Sequence, residues 1–546
     1  MLNFIAMERP ATKLSRLTQA QLWAGSFTLL VVLVSLLSRY QLPIDETRYV
    51  SVAWDMWQHH QWLLPELNGA PYADKPPLLM WLINLSWAIF GVYDWSARIV
   101  VGVIALSSLY WLARLAGALF DDVQRSVTPW VLVSLLGWCF YVPMEMFDTL
   151  LATCLLAQFV YWIQWLKQPQ FSHLVMIGLC GGLGILAKGP VMLLDSLPML
   201  LCYPLWRSPQ MPQPQTFYKA LLWSTLIGIG IGLAWAIPAA IVGGKGYAEA
   251  IFIKQSVGRI QHSFAHARPW YWYLPLLPLI TFPWSLLGVN QLFKRHHFGA
   301  RVAAFKQAWV QHWPLRLLSI WVFAHLILFS LISGKQLHYL VPIFPAVALL
   351  MSGYCLPQLV MKSQPWWLVA VLLGFTAALA SVPWWSASVF NQGLKFSSQP
   401  LAALIPFGLA VVLSLARCRR YWPTILLITS PLLICATLWA GHPLFKQYFN
   451  LQPAAQFVAD QQETQAVAFW GDYPDFFQFY GRLQHPLVLL GKRSETEQMS
   501  WVKRHSNNWV ISTRHICIAS AVHCWEYQTD YLVAQRADVW MAHKGR

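Results

Sequence analysis

Residues 22–49 read LWAGSFTLLVVLVSLLSRYQLPIDETRY. The stretch from Leu22 to Leu37 carries no charge, and it runs into a loop where Asp45, Glu46, Arg48 and Tyr49 follow in quick succession. In a chain that is 57% hydrophobic and only 11% charged, such a run predicts a membrane-crossing helix. Arg9, Lys13 and Arg16 precede it, and no small-residue cleavage pattern follows, so the run reads as a retained signal anchor. Charge held at the edge of a bilayer is costly and usually functional, which makes the loop the place to look for chemistry.

Working outward, further apolar runs begin near Ala97, Val127, Thr149, Leu174, Val191, Leu221, Leu274, Leu317, Tyr339, Trp367, Leu401 and Thr424. With the first, these predict a mainly α, polytopic membrane protein of about thirteen spans. The 32 Trp and 20 Tyr suit the water–lipid boundaries. Lys and Arg are more numerous in the loops on the N-terminal side, which predicts an inside N-terminus; an odd number of spans then puts the C-terminus outside. The net charge of +16 follows from this bias and from anionic lipid. No basic-aromatic soluble module is visible, so nucleic acid is not an expected partner.

From about residue 441 the texture changes. Apolar runs at 466–470, 487–490 and 509–511 alternate with polar segments, predicting a small soluble α/β unit over 441–546, distinct from a membrane domain over 1–440. Of the nine Cys, Cys517 and Cys524 lie in this polar tail and would pair as a disulfide outside a reducing compartment. The others lie in or beside apolar runs, with no metal-ligand spacing.

The candidate site residues fall on the outer side. Asp45 can act as a general base toward a hydroxyl; alone it would be a solvated loop acid, but Arg48 and Tyr49 one turn on suit a phosphate. Tyr72-Ala73-Asp74-Lys75-Pro76-Pro77 stiffens a lysine before two prolines, where an ammonium suits a lipid-linked phosphate; the plainer reading is a snorkelling anchor. Val50–His60 reads as an amphipathic helix in the interface and Leu78–Phe90 as a second short one, so residues 45–92 frame a cavity over the bundle. Asp148 heads a helix on the same side as Asp45. The helix dipole explains an acid there, though not the shared side. Lys188 before Gly189-Pro190, and Lys335 and Tyr339, add cations and a phenol at helix boundaries. In the loop 243–272, Arg259 and Arg268 are further cations. His262 and His266 are either plain loop residues or ligands to a divalent cation, together with Asp74 or Asp148.

Taken together, Asp45-Glu46-x-Arg48-Tyr49, Tyr72-x-Asp74-Lys75-Pro76-Pro77, Phe147-Asp148, Leu186-x-Lys188-Gly189-Pro190 and Lys335-x-x-His338-Tyr339-x-x-Pro342-x-x-Pro345 resemble the bacterial integral-membrane glycosyltransferases of the dolichyl-phosphate-mannose–protein mannosyltransferase type. The resemblance covers the membrane domain and, more loosely, the tail. One departure is Asp74, where the family often has Glu. The resemblance implies a GT-C fold and a polyprenyl-phosphate-linked sugar donor, with no nucleotide cofactor. It implies Asp45 as the catalytic carboxylate and Asp148 as a second one, with Arg48, Tyr49, Tyr72, Lys75 and Tyr339 around the donor phosphate. Lys188, Arg259, Arg268 and Lys335 are further candidates there. The implied acceptor is a lipid or glycan, or a protein, on the periplasmic side of the inner membrane, with aminoarabinose transfer to lipid A as the leading case. A lipid or anion transporter is the rival; it would need charges near mid-membrane and paired broken helices.

Overall fold

The computed structural model describes residues 13–253, 267–286, 298–355, 366–389, 399–414, 422–471, 474–518 and 520–543. Arg259, His262 and His266 lie outside them. The first half forms α1 (Lys13–Ser38), α2 (Asp45–Gln58), α3 (Leu78–Phe90), α4 (Asp94–Leu119), α5 (Asp122–Ser134), α6 (Leu136–Tyr141), α7 (Phe147–Lys167), α8 (Phe171–Lys188), α9 (Val191–Leu201), α10 (Tyr203–Trp206) and α11 (Pro214–Glu249). Long helices Trp313–Leu331 and Trp422–Tyr448 follow later in the chain.

Among the described residues, 8 helical segments are long and apolar enough to cross a membrane. They contain the expected starts at Leu22, Ala97, Thr149, Leu174, Leu221, Leu317, Tyr339 and Thr424. Of the remaining starts, Val127, Val191, Leu274 and Leu401 fall on shorter elements, and Trp367 falls at the start of the helix Trp366–Val389. Pro129 lies inside α5, which gives way to α6 after Ser134, and Pro198 lies inside α9, which gives way to α10 after Leu201. A ring without an N–H stops a helix from continuing undisturbed, so hydrophobicity alone overestimates span length there.

α7 is the central helix. It packs against α4 and α8 and is buried along nearly its whole length, which fixes the place of its first turn and of Asp148. α8 and α11 approach closely because both present glycine: a Cβ at Gly228 would meet the Gly178 carbonyl at 3.2 Å and the Gly182 nitrogen at 3.3 Å. Small residues at this spacing let two backbones touch where lipid offers no hydrophobic drive to association. Gly228→Leu should therefore push α8 from α11 and destabilise the bundle by about 1–3 kcal/mol. A thermal unfolding midpoint in detergent equal to that of wild type would count against this packing.

The tail folds as a 5-stranded sheet in the order β4-β3-β5-β7-β6, made of β3 (Ala468–Trp470), β4 (Val488–Leu489), β5 (Trp509–Arg514), β6 (His523–Tyr527) and β7 (Asp530–Arg536). β3 pairs parallel with β4 and β5, whereas β7 is antiparallel to both β5 and β6. The three expected runs are β3, β4 and β5, and Cys517 and Cys524 form a disulfide between β5 and β6.

α2 differs from expectation. It does not lie free in the interface: Glu46, Thr47 and the run Tyr49 to Met56 are all buried. The reason is that the tail covers it. Trp54 Nε1 donates to the Leu483 carbonyl (3.1 Å) and Ser51 Oγ to that of Asp475 (3.0 Å). The Trp87 ring of α3 stacks on Phe479 with centroids 5.3 Å apart. Asn68, between the short strands β1 (Glu66–Leu67) and β2 (Ala70–Pro71), exchanges hydrogen bonds with the Leu487 backbone at 3.0 and 2.7 Å.

Candidate active site

Asp45 is the first residue of α2, and a helix turns about 100° per residue, so Asp45 and Glu46 diverge at once. Glu46 turns inward. Its carboxylate is gripped by both terminal nitrogens of Arg39, with Nη2 to Oε1 at 3.0 Å, and accepts from the backbone N–H of Leu42 (2.7 Å) and of Glu145 (2.9 Å). Arg39 also donates to the Pro143 carbonyl at 2.8 Å, and Arg98 of α4 donates to the Arg39 carbonyl at 2.9 Å. Burial pushes Glu46 up, but Arg39 and then Arg98 more than offset it, and its carboxyl is held below the ordinary range. This knot joins the end of α1, the start of α2, α4 and the turn before α7.

Asp45 points the other way and accepts a hydrogen bond from the Tyr49 hydroxyl at 3.3 Å. The Tyr49 ring meets Phe147 edge-on at 4.7 Å, so it bridges α2 to the first turn of α7. Burial, with Tyr72, Asp45 and Asp148 close by, pushes the Tyr49 phenol well above its usual value; it stays a donor. Asp148 is buried and ion-paired with Lys188, the last residue of α8. Lys188 ends that helix because Gly189 adopts φ +66°, a conformation that suits glycine. The Lys188 ammonium lies 4.9 Å from the centre of the Tyr339 ring. The Lys75-Pro76 loop approaches from above, with Pro76 close to Gly189. His338, beside Tyr339, is near enough to Asp148, Lys188, Asp45 and Lys75 to feel all four charges.

The fold thus brings together Asp45, Arg48, Tyr49, Tyr72, Lys75, Asp148, Lys188 and Tyr339. Lys335 is placed differently: its ammonium donates to the carbonyls of Arg268 (3.0 Å) and Ile332 (2.5 Å), so it staples the loop at Arg268 to the chain before Tyr339. Arg268 itself lies over the Trp272 ring at 5.6 Å. Among the described residues no three His, Cys, Asp or Glu side chains converge as metal ligands. Asp148 is paired with Lys188, and His262 and His266, the other expected ligands, lie outside the described residues.

Three features were missed in the sequence. Asp195, within α9, lies with its Oδ1 3.0 Å from His325 Nδ1, and His325 Nε2 donates to the Tyr339 carbonyl at 2.9 Å. An acid and a histidine inside apolar runs were the available signal. The Arg39–Glu46–Arg98 knot is the second. The third is Asp475 of the tail, whose Oδ2 is 3.5 Å from Arg48 Nε; burial pushes its carboxyl up to about 6, against the pull of Arg48.

Residues 74–238 match the family described as dolichyl-phosphate-mannose-protein mannosyltransferase. In structure the chain is similar to ArnT from Cupriavidus metallidurans, solved bound to undecaprenyl phosphate, with a TM-score of 0.70 at 19% identity over 95% of this chain and 98% of that one. The fold therefore defines the class: this is a multi-pass membrane protein with the GT-C fold, and residues 74–238 are similar to the mannosyltransferase family. Within it the chain is similar to the undecaprenyl phosphate-alpha-4-amino-4-deoxy-L-arabinose arabinosyl transferases. It is 28% identical to that of Pseudomonas paraeruginosa (strain DSM 24068 / PA7) over 333 residues, 58% of this chain and 55% of the relative. It is 26% identical to that of Edwardsiella ictaluri (strain 93-146) over 481 residues, 82% of this chain and 81% of the relative. The chain spans little more than half the length of the first of these relatives.

Proposed function

We propose that this protein is a glycosyltransferase that moves a sugar from a polyprenyl-phosphate donor to an acceptor on the periplasmic side of the inner membrane. The observation that carries the reading is the convergence of two carboxylates, Asp45 and the Lys188-paired Asp148, with Lys75, Arg48 and the Tyr339 ring at the helix ends on one side of the bundle. Residues 1–440 hold this chemistry, and 441–546 form the outer unit docked on it. The Cys517–Cys524 disulfide supports a tail outside the reducing cytosol. The names of the relatives support 4-amino-4-deoxy-L-arabinose on undecaprenyl phosphate as the donor, and we take lipid A as the acceptor.

In this mechanism an acceptor oxygen attacks the anomeric carbon as the bond from that carbon to the phosphate oxygen breaks, with inversion. Asp45 takes the acceptor proton. The polyprenyl phosphate leaves as a monoester, and Lys75, Arg48 and Lys188 stabilise the charge it gains. Tyr49, Tyr72 and Tyr339 supply donors and ring faces around it. The activated bond is already in the donor, so no nucleotide is required.

Lipid A mass spectrometry of cells with and without the chain tests the reaction; identical lipid A in both would refute this acceptor. Lys75→Ala, removing one charged contact to the phosphate, should lower kcat/KM for the lipid-linked donor by roughly ten- to a hundredfold, the equivalent of about 1.5–3 kcal/mol. Unchanged kinetics would remove Lys75 from the phosphate site.

A further inference from the structure

The tail touches the site through Asp475, in the turn Pro474–Phe476. Its carboxylate is fully buried, with Oδ2 3.5 Å from Arg48 Nε, and Ser51 Oγ donates to its carbonyl at 3.0 Å. Arg48 and Ser51 are three apart on α2 and share one face, so a single turn of the tail grips both. The charged and titratable groups around Asp475 are Arg48 and Asp45 from α2 and Tyr527 from β6. Arg48 therefore stands between two acids, one from the first loop and one from the far end of the chain.

We propose that Asp475 is a positioning residue for the donor phosphate: it holds the Arg48 guanidinium by its Nε edge, so that the phosphate site is complete only when the tail is docked on α2. This rests on the reading of the site as one for a polyprenyl-phosphate donor. Two effects of Asp475 on an incoming phosphate have opposite signs. As a nearby negative charge it repels the anion, so its removal would tighten binding. As a holder it has already restricted a long, rotamer-rich side chain, so its removal would weaken binding. The direction of change separates a positioning residue from a charged bystander.

The test is binding of undecaprenyl phosphate to the full-length protein in nanodiscs, for wild type, Asp475→Asn, Arg48→Ala and the double variant. Asp475→Asn should weaken binding by about two- to tenfold, the cost of ordering one long side chain. In the Arg48→Ala background the same change should have no further effect, because the side chain it holds is gone. A purely structural role would instead weaken binding in both backgrounds. Should Asp475→Asn fail to fold, Ser51→Ala is read in the same way: it frees the turn from α2 while keeping both charges, and it should also weaken binding. Equal or tighter binding by Asp475→Asn, or equal losses in both backgrounds, overturns the assignment while the donor site stands. Wild type that does not bind undecaprenyl phosphate overturns the donor reading and this inference together.

Discussion

Asp45→Asn should all but abolish sugar transfer while leaving donor binding intact. Asparagine keeps the size of the side chain and can still accept from the Tyr49 hydroxyl, now 3.3 Å from Asp45. What it loses is the negative charge that we propose takes the acceptor proton. A general base typically contributes about 10²–10⁴-fold, so the fall should appear in kcat. Donor binding should hold or strengthen, because one negative charge near the phosphate is gone. The check is transfer from polyprenyl phosphate by purified, folded variant beside its binding of the same donor. Near wild-type turnover would move the base to Asp148, although Asp148 is tied to Lys188 and would first have to be released.

Arg39→Ala should have the largest effect on folding. It would leave the Glu46 carboxylate, buried at 3% exposure, without its bidentate partner, and would also strip the Pro143 carbonyl of a donor. Breaking a buried pair from one side costs about 3–5 kcal/mol, since a charge is left uncompensated. Replacing both partners with apolar residues, as in Arg39→Met with Glu46→Met, should do less harm than Arg39→Ala alone. The pair also has a pH signature. Against burial, Arg39 holds Glu46 below its ordinary value, so the stabilisation is present above the unfolded value near 4.5 and is lost as pH falls through the lowered one. Thermal midpoints across acid pH would show it; an Arg39→Ala protein as stable as wild type would refute the knot.

Features written in local periodicity and spacing were legible in the sequence. The apolar runs located the long helices, and the motifs around Asp45, Lys75, Asp148 and Lys188 named residues that do meet. Each of these motifs abuts a helix end, which is why they could be read together. What stayed hidden was contact between distant segments. Arg39 reads as a loop cation until Pro143 and Glu145 are seen to close around it, more than a hundred residues on. Lys335 reads as another phosphate ligand, but its hydrogen bonds go to backbone carbonyls. β6 and β7 carry polar residues among their apolar ones, and their pairing with β5 depends on register rather than composition. Asp475 sits in a tail without a catalytic motif, and only the packing of that tail on α2 gives it a role.

That packing bears on how the protein is made. Ser51 and Trp54 find their partners in Asp475 and Leu483, more than four hundred residues later. The ribosome therefore delivers the loop that carries α2 long before the segment that covers it exists. During synthesis α2 and α3 must wait at the membrane surface with Trp54 and Trp87 uncovered. Closing such distant contacts is slow, because the loop entropy is lost before any contact forms. That packing forms only after the segment around Asp475 and Leu483 has been made, and a nascent protein released before it would expose aromatic surface.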